Sequence, residues 1–285
     1  MRHPGRIVLG AIAASFALAA FGGASAVLND QSIKSFLADH YGVEGRGTLD
    51  NGCGAVSSSG FPESCFDGPV GILLGDSHAS VLFGSFAKSF ETLGQRLVLI
   101  SGPGCEPLLF APRPRRENRA HKCAAGIAPF ERLLARPTPV SFVIISANWG
   151  YFDQLPSVLS DLISQFDSER TRILLIGPVP IFLRSGLECV VLSHRQGVSR
   201  DRCARPRRDV EAKLSKVIAV LKAMPARFGN VRYIDPLEVF CDDRTCRPFD
   251  NDSIFYSDTH HVLPRGAELI YDTFNDDFLW LAGKR

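Results

Sequence analysis

An α/β fold is expected for this chain, a three-layer α/β/α sandwich in which helices cover both faces of a central parallel sheet. Short apolar runs recur at Val70 to Leu74, Arg96 to Ile100, Val140 to Ile145, Arg172 to Ile176 and Val231 to Asp235. Most are continuous rather than alternating, the pattern of strands buried on both faces. Segments with apolar residues at helical spacing lie between them, as parallel crossovers require. The 285 residues are 45% hydrophobic and 22% charged, enough for one sizeable core, and no repeat or low-complexity tract interrupts them.

Residues 1–26 are set apart first. Arg2 and Arg6 precede an uncharged apolar run from Ile7 to Phe21, and Ala24-Ser25-Ala26 supplies small residues of the kind a signal peptidase reads. This predicts a secretory signal cleaved after Ala26, or alternatively an uncleaved N-terminal anchor. Either way the remainder is expected outside the cytoplasm, periplasmic or secreted, or held at the inner membrane. Without Arg2 and Arg6 the 32 basic residues fall to 30, equal to the 30 acidic ones. That balance gives no support to a nucleic-acid partner.

Taken in order, 27–69 reads as a disulfide-held lead-in and 70–285 as a catalytic domain. Asn29 to His40 predicts a short helix with Ile33, Phe36 and Leu37 on one face, and Tyr41 to Phe66 a Gly- and Ser-rich ordered loop. The first strand stops at Gly75-Asp76-Ser77-His78, and Ala79 to Leu93 follows as a helix. The second strand leads into Ser101-Gly102-Pro103-Gly104-Cys105. Ala111 to Lys122, with Arg113, Arg115, Arg116, Arg119 and Lys122, reads as a basic loop, either simply solvated or facing an anionic glycan or lipid head group. The third strand ends at Ser146-Ala147-Asn148-Trp149, and Asp153 to Phe166 is helical. The fourth strand runs into Gly177-Pro178-Val179-Pro180, and Leu187 to Arg205 reads as a loop. Asp209 to Met224 is an amphipathic helix with Val210, Leu214, Val217, Ile218 and Leu221 on one stripe. After the fifth strand, Cys241 and Cys246 bracket a hairpin-like loop, and Pro264 to Leu281 forms a closing helix with Pro264 in its first turn.

The eight cysteines fall in four close pairs in sequence order, so Cys53–Cys65, Cys105–Cys123, Cys189–Cys203 and Cys241–Cys246 are expected as disulfides. Metal binding would call for Cys-x-x-Cys or mixed Cys/His clusters, and no Cys-x-x-Cys occurs. No metal or cofactor is expected.

Ser77 stands where acyl chemistry favours a serine, at the carboxyl end of a buried strand and the start of a helix. There its own N–H and the helix dipole can meet a developing oxyanion. It needs a base and an orienter. Tyr256-Ser257-Asp258-Thr259-His260-His261 offers both: Asp258, three residues before His261, can hold its Nδ1–H while Nε2 faces the serine.

Gly75-Asp76-Ser77-His78, Asp258-x-x-His261 and the trailing Gly266-Ala267 together resemble the SGNH (GDSL-like) hydrolase superfamily. The likeness is to SGNH domains attached to, or working beside, membrane acyltransferases that O-acylate bacterial polysaccharides. It spans about Val70 to Ala282 and implies a flavodoxin-like sheet with Ser77, Asp258 and His261 as the triad. It selects His261 over His260 as the base, and Gly102, with Gly104 close behind, for an oxyanion N–H beside that of Ser77. Asn148 supplies the third donor, while Ser146 departs from the family's glycine. Asp76 is read as bracing the turn and His78 as a structural or gating neighbour on the substrate side. Trp149 and Tyr151 either stack on a sugar or pack. The implied function is an exported acyl-ester hydrolase or O-acyltransferase for acetyl groups on a cell-envelope polysaccharide, without cofactor. A transferase would need a membrane partner that donates acyl groups. The alternatives are a carbohydrate-binding or scaffolding domain with a weakened oxyanion hole, and a lipid or arylester esterase with a larger apolar pocket.

Overall fold

The computed structural model describes residues 53–54, 61–66, 68–102, 105–112, 117–136, 140–150, 153–197 and 199–284, with the side chains of 63 and 117–125 outside the description. Five parallel strands make the sheet: β1 (Val70–Gly75), β2 (Arg96–Ser101), β3 (Phe142–Ser146), β4 (Arg172–Ile176) and, after a two-residue strand β5 (Arg205–Pro206), β6 (Val231–Ile234). Across the sheet they run β2-β1-β3-β4-β6. The chain first steps from β1 to one side, then crosses back and fills the other, so β1 and β3 are neighbours whose following loops diverge. Right-handed crossovers then put helix α1 (Ser77–Thr92) on one face. They put α2 (Glu117–Leu134), α3 (Leu155–Ile163) and, after α4 (Gly186–Gln196), α5 (Arg207–Arg227) on the other.

Every residue of β1 and β3 is buried, which explains their unbroken apolar sequence: a helix layer covers each face. After β6 come a short helix α6 (Leu237–Phe240), a two-residue strand β7 (Thr245–Cys246) paired antiparallel with β5, and the helices α7 (Pro264–Thr273) and α8 (Asn275–Leu281), which return to the face of α1. The parallel α/β sandwich read from the sequence is the fold observed. Among the described residues no helix is long and apolar enough to cross a membrane.

Three stretches differ from the sequence reading. The segment from Leu187 to Arg205, expected as a loop, contains α4. The Ser185 hydroxyl accepts the Glu188 N–H at 2.9 Å to cap its start, and Gly197, at φ 62°, ends it in the left-handed region. The expected basic loop over 111–122 becomes helical from Glu117, and Arg113, Arg115 and Arg116 lie outside the described residues. The closing helix is two helices, broken at Phe274 (φ −108°, ψ 29°) amid the weak helix formers Asp272, Thr273, Asn275, Asp276 and Asp277. The break turns Phe278 onto Phe86, ring centroids 5.0 Å apart. The expected helix at Asn29 to His40 lies outside the described residues.

Three disulfides join sequence neighbours, Cys53–Cys65, Cys189–Cys203 and Cys241–Cys246. Cys105 is also disulfide-bonded, and the side chain of Cys123 lies outside the description. The first bridge ties the segment around Cys53 to that around Cys65, and the Cys53 carbonyl accepts the Leu99 N–H of edge strand β2 at 3.0 Å.

Gly75 ends β1 opposite Ser146 of β3. A Cβ there would fall inside the van der Waals shell of the Ser146 carbonyl oxygen, which is fixed backbone. Gly75→Ala must therefore part the ends of β1 and β3. It is expected to lower the urea unfolding midpoint by an amount corresponding to about 1–3 kcal/mol, the usual cost of overpacking.

Candidate active site

The carboxyl ends of β1 and β3 open a crevice at the point where the strand order reverses, the place where open α/β sheets bind ligands. Ser77, the first residue of α1, stands in it. Asp76 caps that helix: one carboxylate oxygen accepts the His78 N–H at 2.8 Å, and the other reaches across to the Asn148 N–H, just beyond β3, at 2.9 Å. One side chain thus fixes the serine turn and the Asn148 loop relative to each other. On the other flank the Ser80 hydroxyl lies 2.7 Å from that of Ser101, tying α1 to the end of β2 beside Gly102.

The opposite wall is the loop before α7. An antiparallel bridge between Tyr256 and Val262 closes it, and the Ser257 N–H donates to the His261 carbonyl at 2.9 Å. Within it Asp258 divides its work. One oxygen accepts the backbone N–H of His260 at 2.9 Å and of His261 at 2.7 Å, and the other lies 2.6 Å from His261 Nδ1. A carboxylate that turns the backbone and also holds the ring explains the three-residue spacing of Asp258 and His261. The free edge of the imidazole then meets the serine, Nε2 to Ser77 Oγ at 2.8 Å. The geometry brings Ser77, His261 and Asp258 into one hydrogen-bonded chain.

This loop rests on a small second core of Val190, Val191, Phe249, Ile254 and Leu263 with the Cys189–Cys203 bridge. Gly186 at the start of α4 comes so close that a Cβ would lie 2.6 Å from the Pro248 carbonyl oxygen. Gly266 in α7 is equally confined, 2.8 Å from the Phe255 carbonyl oxygen by the same measure, which accounts for the glycine that follows the Asp-His pair.

Charge in the crevice is set by burial and by backbone donors. Burial pushes the Asp76 carboxyl up, opposed by the N–H groups of Asn148 and His78. Burial also acts to raise Asp258, but the N–H groups of His260 and His261 and the His261 ring outweigh it and hold the carboxyl at about 2. His78, 6% exposed, is pushed down to about 3 by burial and then by the neighbouring His261 and His260. His260 is lowered too, by burial first and then by His261.

A cavity of about 280 Å³ adjoins the crevice, lined by His78, Asn148, Trp149, Val179, Ile181 and Lys213 among others. Its outer wall, the run after β4 facing α5, was not singled out from the sequence, although the carboxyl end of a strand next to the switch point is itself a signal. That run is pinned from two sides: the Phe182 N–H donates to the Thr259 carbonyl at 2.8 Å, and Arg205 donates to the Ile181 carbonyl at 2.7 Å. Asn148 is exposed at the cavity's mouth, its side-chain amide without a hydrogen bond among the described residues. Gly102 is partly exposed at the end of β2, and Gly104 lies outside the described residues. Trp149 is packed rather than presented: the residue is buried and its indole N–H donates to the Ile176 carbonyl at 2.7 Å, so it forms a wall and not a stacking platform. Tyr151 lies outside the described residues.

Comparison with known proteins agrees with this architecture. The periplasmic domain of the lipopolysaccharide acetyltransferase of Salmonella ser. Paratyphi A is similar in structure, with a TM-score of 0.55 and 14% sequence identity over 89% of this chain and 99% of that one. At that identity the likeness is one of fold. Among curated proteins none matches. The family described as the SGNH domain fused to AT3 domains matches residues 49–276, most of the chain and all of the crevice, and the chain belongs to that family.

Proposed function

We propose that the protein is an exported serine-dependent acyl-ester hydrolase or O-acyltransferase that acts on acyl groups, foremost acetyl, of a cell-envelope polysaccharide. The observation that carries this reading is the hydrogen-bonded chain from Ser77 through His261 to Asp258. Ser77 Oγ attacks the ester carbonyl as His261 Nε2 takes its proton, and Asp258 stabilises the imidazolium. The N–H groups of Ser77 and Gly102 and the Asn148 amide receive the oxyanion. The tetrahedral intermediate collapses as His261 returns the proton to the departing alkoxide. Water or a sugar hydroxyl then resolves the acyl-serine by the same steps in reverse.

Two features narrow the substrate. The cavity of about 280 Å³ lies just below the roughly 300–1,000 Å³ typical of ligand pockets, which suits a short acyl group or part of a sugar ring better than a lipid chain. Membership of a family fused elsewhere to AT3 domains favours a membrane acyltransferase as donor and a glycan hydroxyl as final acceptor. The disulfides fit an oxidising compartment outside the cytoplasm.

Burial keeps His78 uncharged, so it does not oppose the positive charge that arrives on His261 during attack. The arrangement has a stability consequence. The folded-state value of His78, about 3, lies below the ordinary 6.5, so the unfolded chain takes up a proton first as the pH falls. The contribution is complete above 6.5 and is lost between about 6.5 and 3.

Wild-type protein is expected to react with a fluorophosphonate probe, and Ser77→Ala to lose all labelling and at least about a thousandfold in ester cleavage with an unchanged circular dichroism spectrum. An unlabelled wild type would leave the binding or scaffolding alternative. With an acetylated chromogenic ester, adding an oligosaccharide acceptor is expected to divert product from acetate to acetylated sugar. Acetate alone would assign a hydrolase. Asn148→Ala keeps the backbone bond to Asp76 and is expected to lower kcat about 10²- to 10³-fold with little change in KM. His78→Gln is expected to lose less stability than wild type between pH 7 and pH 4.5, read from urea midpoints at the two values.

A further inference from the structure

The fold assembles a cluster that neither sequence segment displays by itself. His78 from the start of α1 and His260 and His261 from the loop before α7 place one ring nitrogen each within 4.8 Å of the others. The ring centroids of His260 and His261 are 4.0 Å apart, and His78 lies 5.4 and 5.1 Å from them.

His261 Nε2 meets Ser77 Oγ at 2.8 Å, a contact that a metal ion on that nitrogen would replace. His261 Nδ1 is engaged by Asp258. His260 Nδ1 lies 3.0 Å from the Thr259 hydroxyl and 3.5 Å from Asp258 Oδ1. With its proton on Nδ1, shared between these two oxygens, the ring presents its lone pair at Nε2. His78 Nε2 is buried and has no hydrogen-bond partner, in a residue only 6% exposed. A buried ring nitrogen left unpaired calls for an explanation, and the rings of His260 and His261 pack against this imidazole.

We propose that His78, His260 and His261 form a binding site for one zinc ion, and that the bound ion holds the enzyme inactive by occupying the lone pair of His261 Nε2. Three imidazoles with a water in the fourth position are an established donor set for zinc. Oxygen-seeking magnesium and calcium do not fit it. A carboxylate on one ligand's Nδ1 and a hydroxyl on another's are the outer partners that orient metal-bearing histidines. Zinc–nitrogen bonds near 2.0–2.1 Å place tetrahedral ligands about 3.3 Å apart. The rings must therefore close up, and His260, whose side chain is 32% exposed, has room to move. The effect on activity follows from electron counting: the pair on His261 Nε2 that receives the Ser77 proton is the pair the metal takes, so the two uses exclude each other. The inhibitory half of the proposal rests on the esterase reading, whereas binding does not.

The test uses the folded, oxidised chain. Zinc is titrated against a chromogenic chelator, with fluorophosphonate labelling of Ser77 followed in parallel. One high-affinity zinc per chain is expected. Labelling should fall as the site fills, recover on addition of excess chelator and ignore magnesium. His260→Gln should label normally without zinc and bind zinc at least about tenfold more weakly, since even outer partners of metal ligands cost 10- to 100-fold. His78→Gln should weaken binding similarly. Failure to bind zinc stoichiometrically, or equal affinity in wild type and both variants, overturns the site. Tight binding with undiminished labelling overturns inhibition. If wild type never labels even without zinc, the esterase reading fails, and the chelator titration still decides the site.

Discussion

A buried carboxylate holds the two halves of the crevice together. Asp76 is 4% exposed, and its two oxygens accept one backbone N–H from the serine turn and one from the loop beyond β3. Removing such a group from water is unfavourable, and charge-assisted bonds to fixed backbone donors compensate. Because those donors belong to different strands' loops, the compensation exists only when β1 and β3 end level with each other, as Gly75 opposite Ser146 ensures. The distance from Ser77 to the Asn148 loop is set by this constraint, and the rest of the crevice is built outward from it.

His261 arrives on a separately supported platform. The loop that carries Asp258 and His261 stands on its own small core, stapled by Cys189–Cys203, and leans on Phe182 and the run after β4 through the Thr259 carbonyl. The Ser85 hydroxyl, bonded to the Pro264 carbonyl at 3.3 Å, joins this platform to α1. The two walls of the crevice meet at Ser77 Oγ and His261 Nε2, and preorganisation of that contact depends on both.

Much of this was legible in the chain, for identifiable reasons. Buried parallel strands write themselves as unbroken apolar runs, and an Asp three residues before a His encodes a turn and an orienting bond at once. Helix α4 has the serine and glutamate spacing of an N-terminal cap in Ser185-Gly186-Leu187-Glu188 and a stop in Gly197, but its cysteine pair reads equally as the mark of a disulfide-held loop. The break at Phe274 has no glycine or proline to announce it and accompanies the packing of Phe278 on Phe86 of α1. The cavity wall after β4, the buried pose of Trp149 and the meeting of His78 with His260 arise from contacts between distant segments, which no local pattern carries.

Ser77 and His261 are 184 residues apart in the chain, on opposite sides of almost the entire sheet in order of synthesis. A polypeptide emerging from the ribosome displays its serine turn long before the histidine loop exists, and pairings of such long range are slow to form. The hydrogen bond between Ser77 and His261 thus exists only once both ends of this long stretch of chain have been brought together.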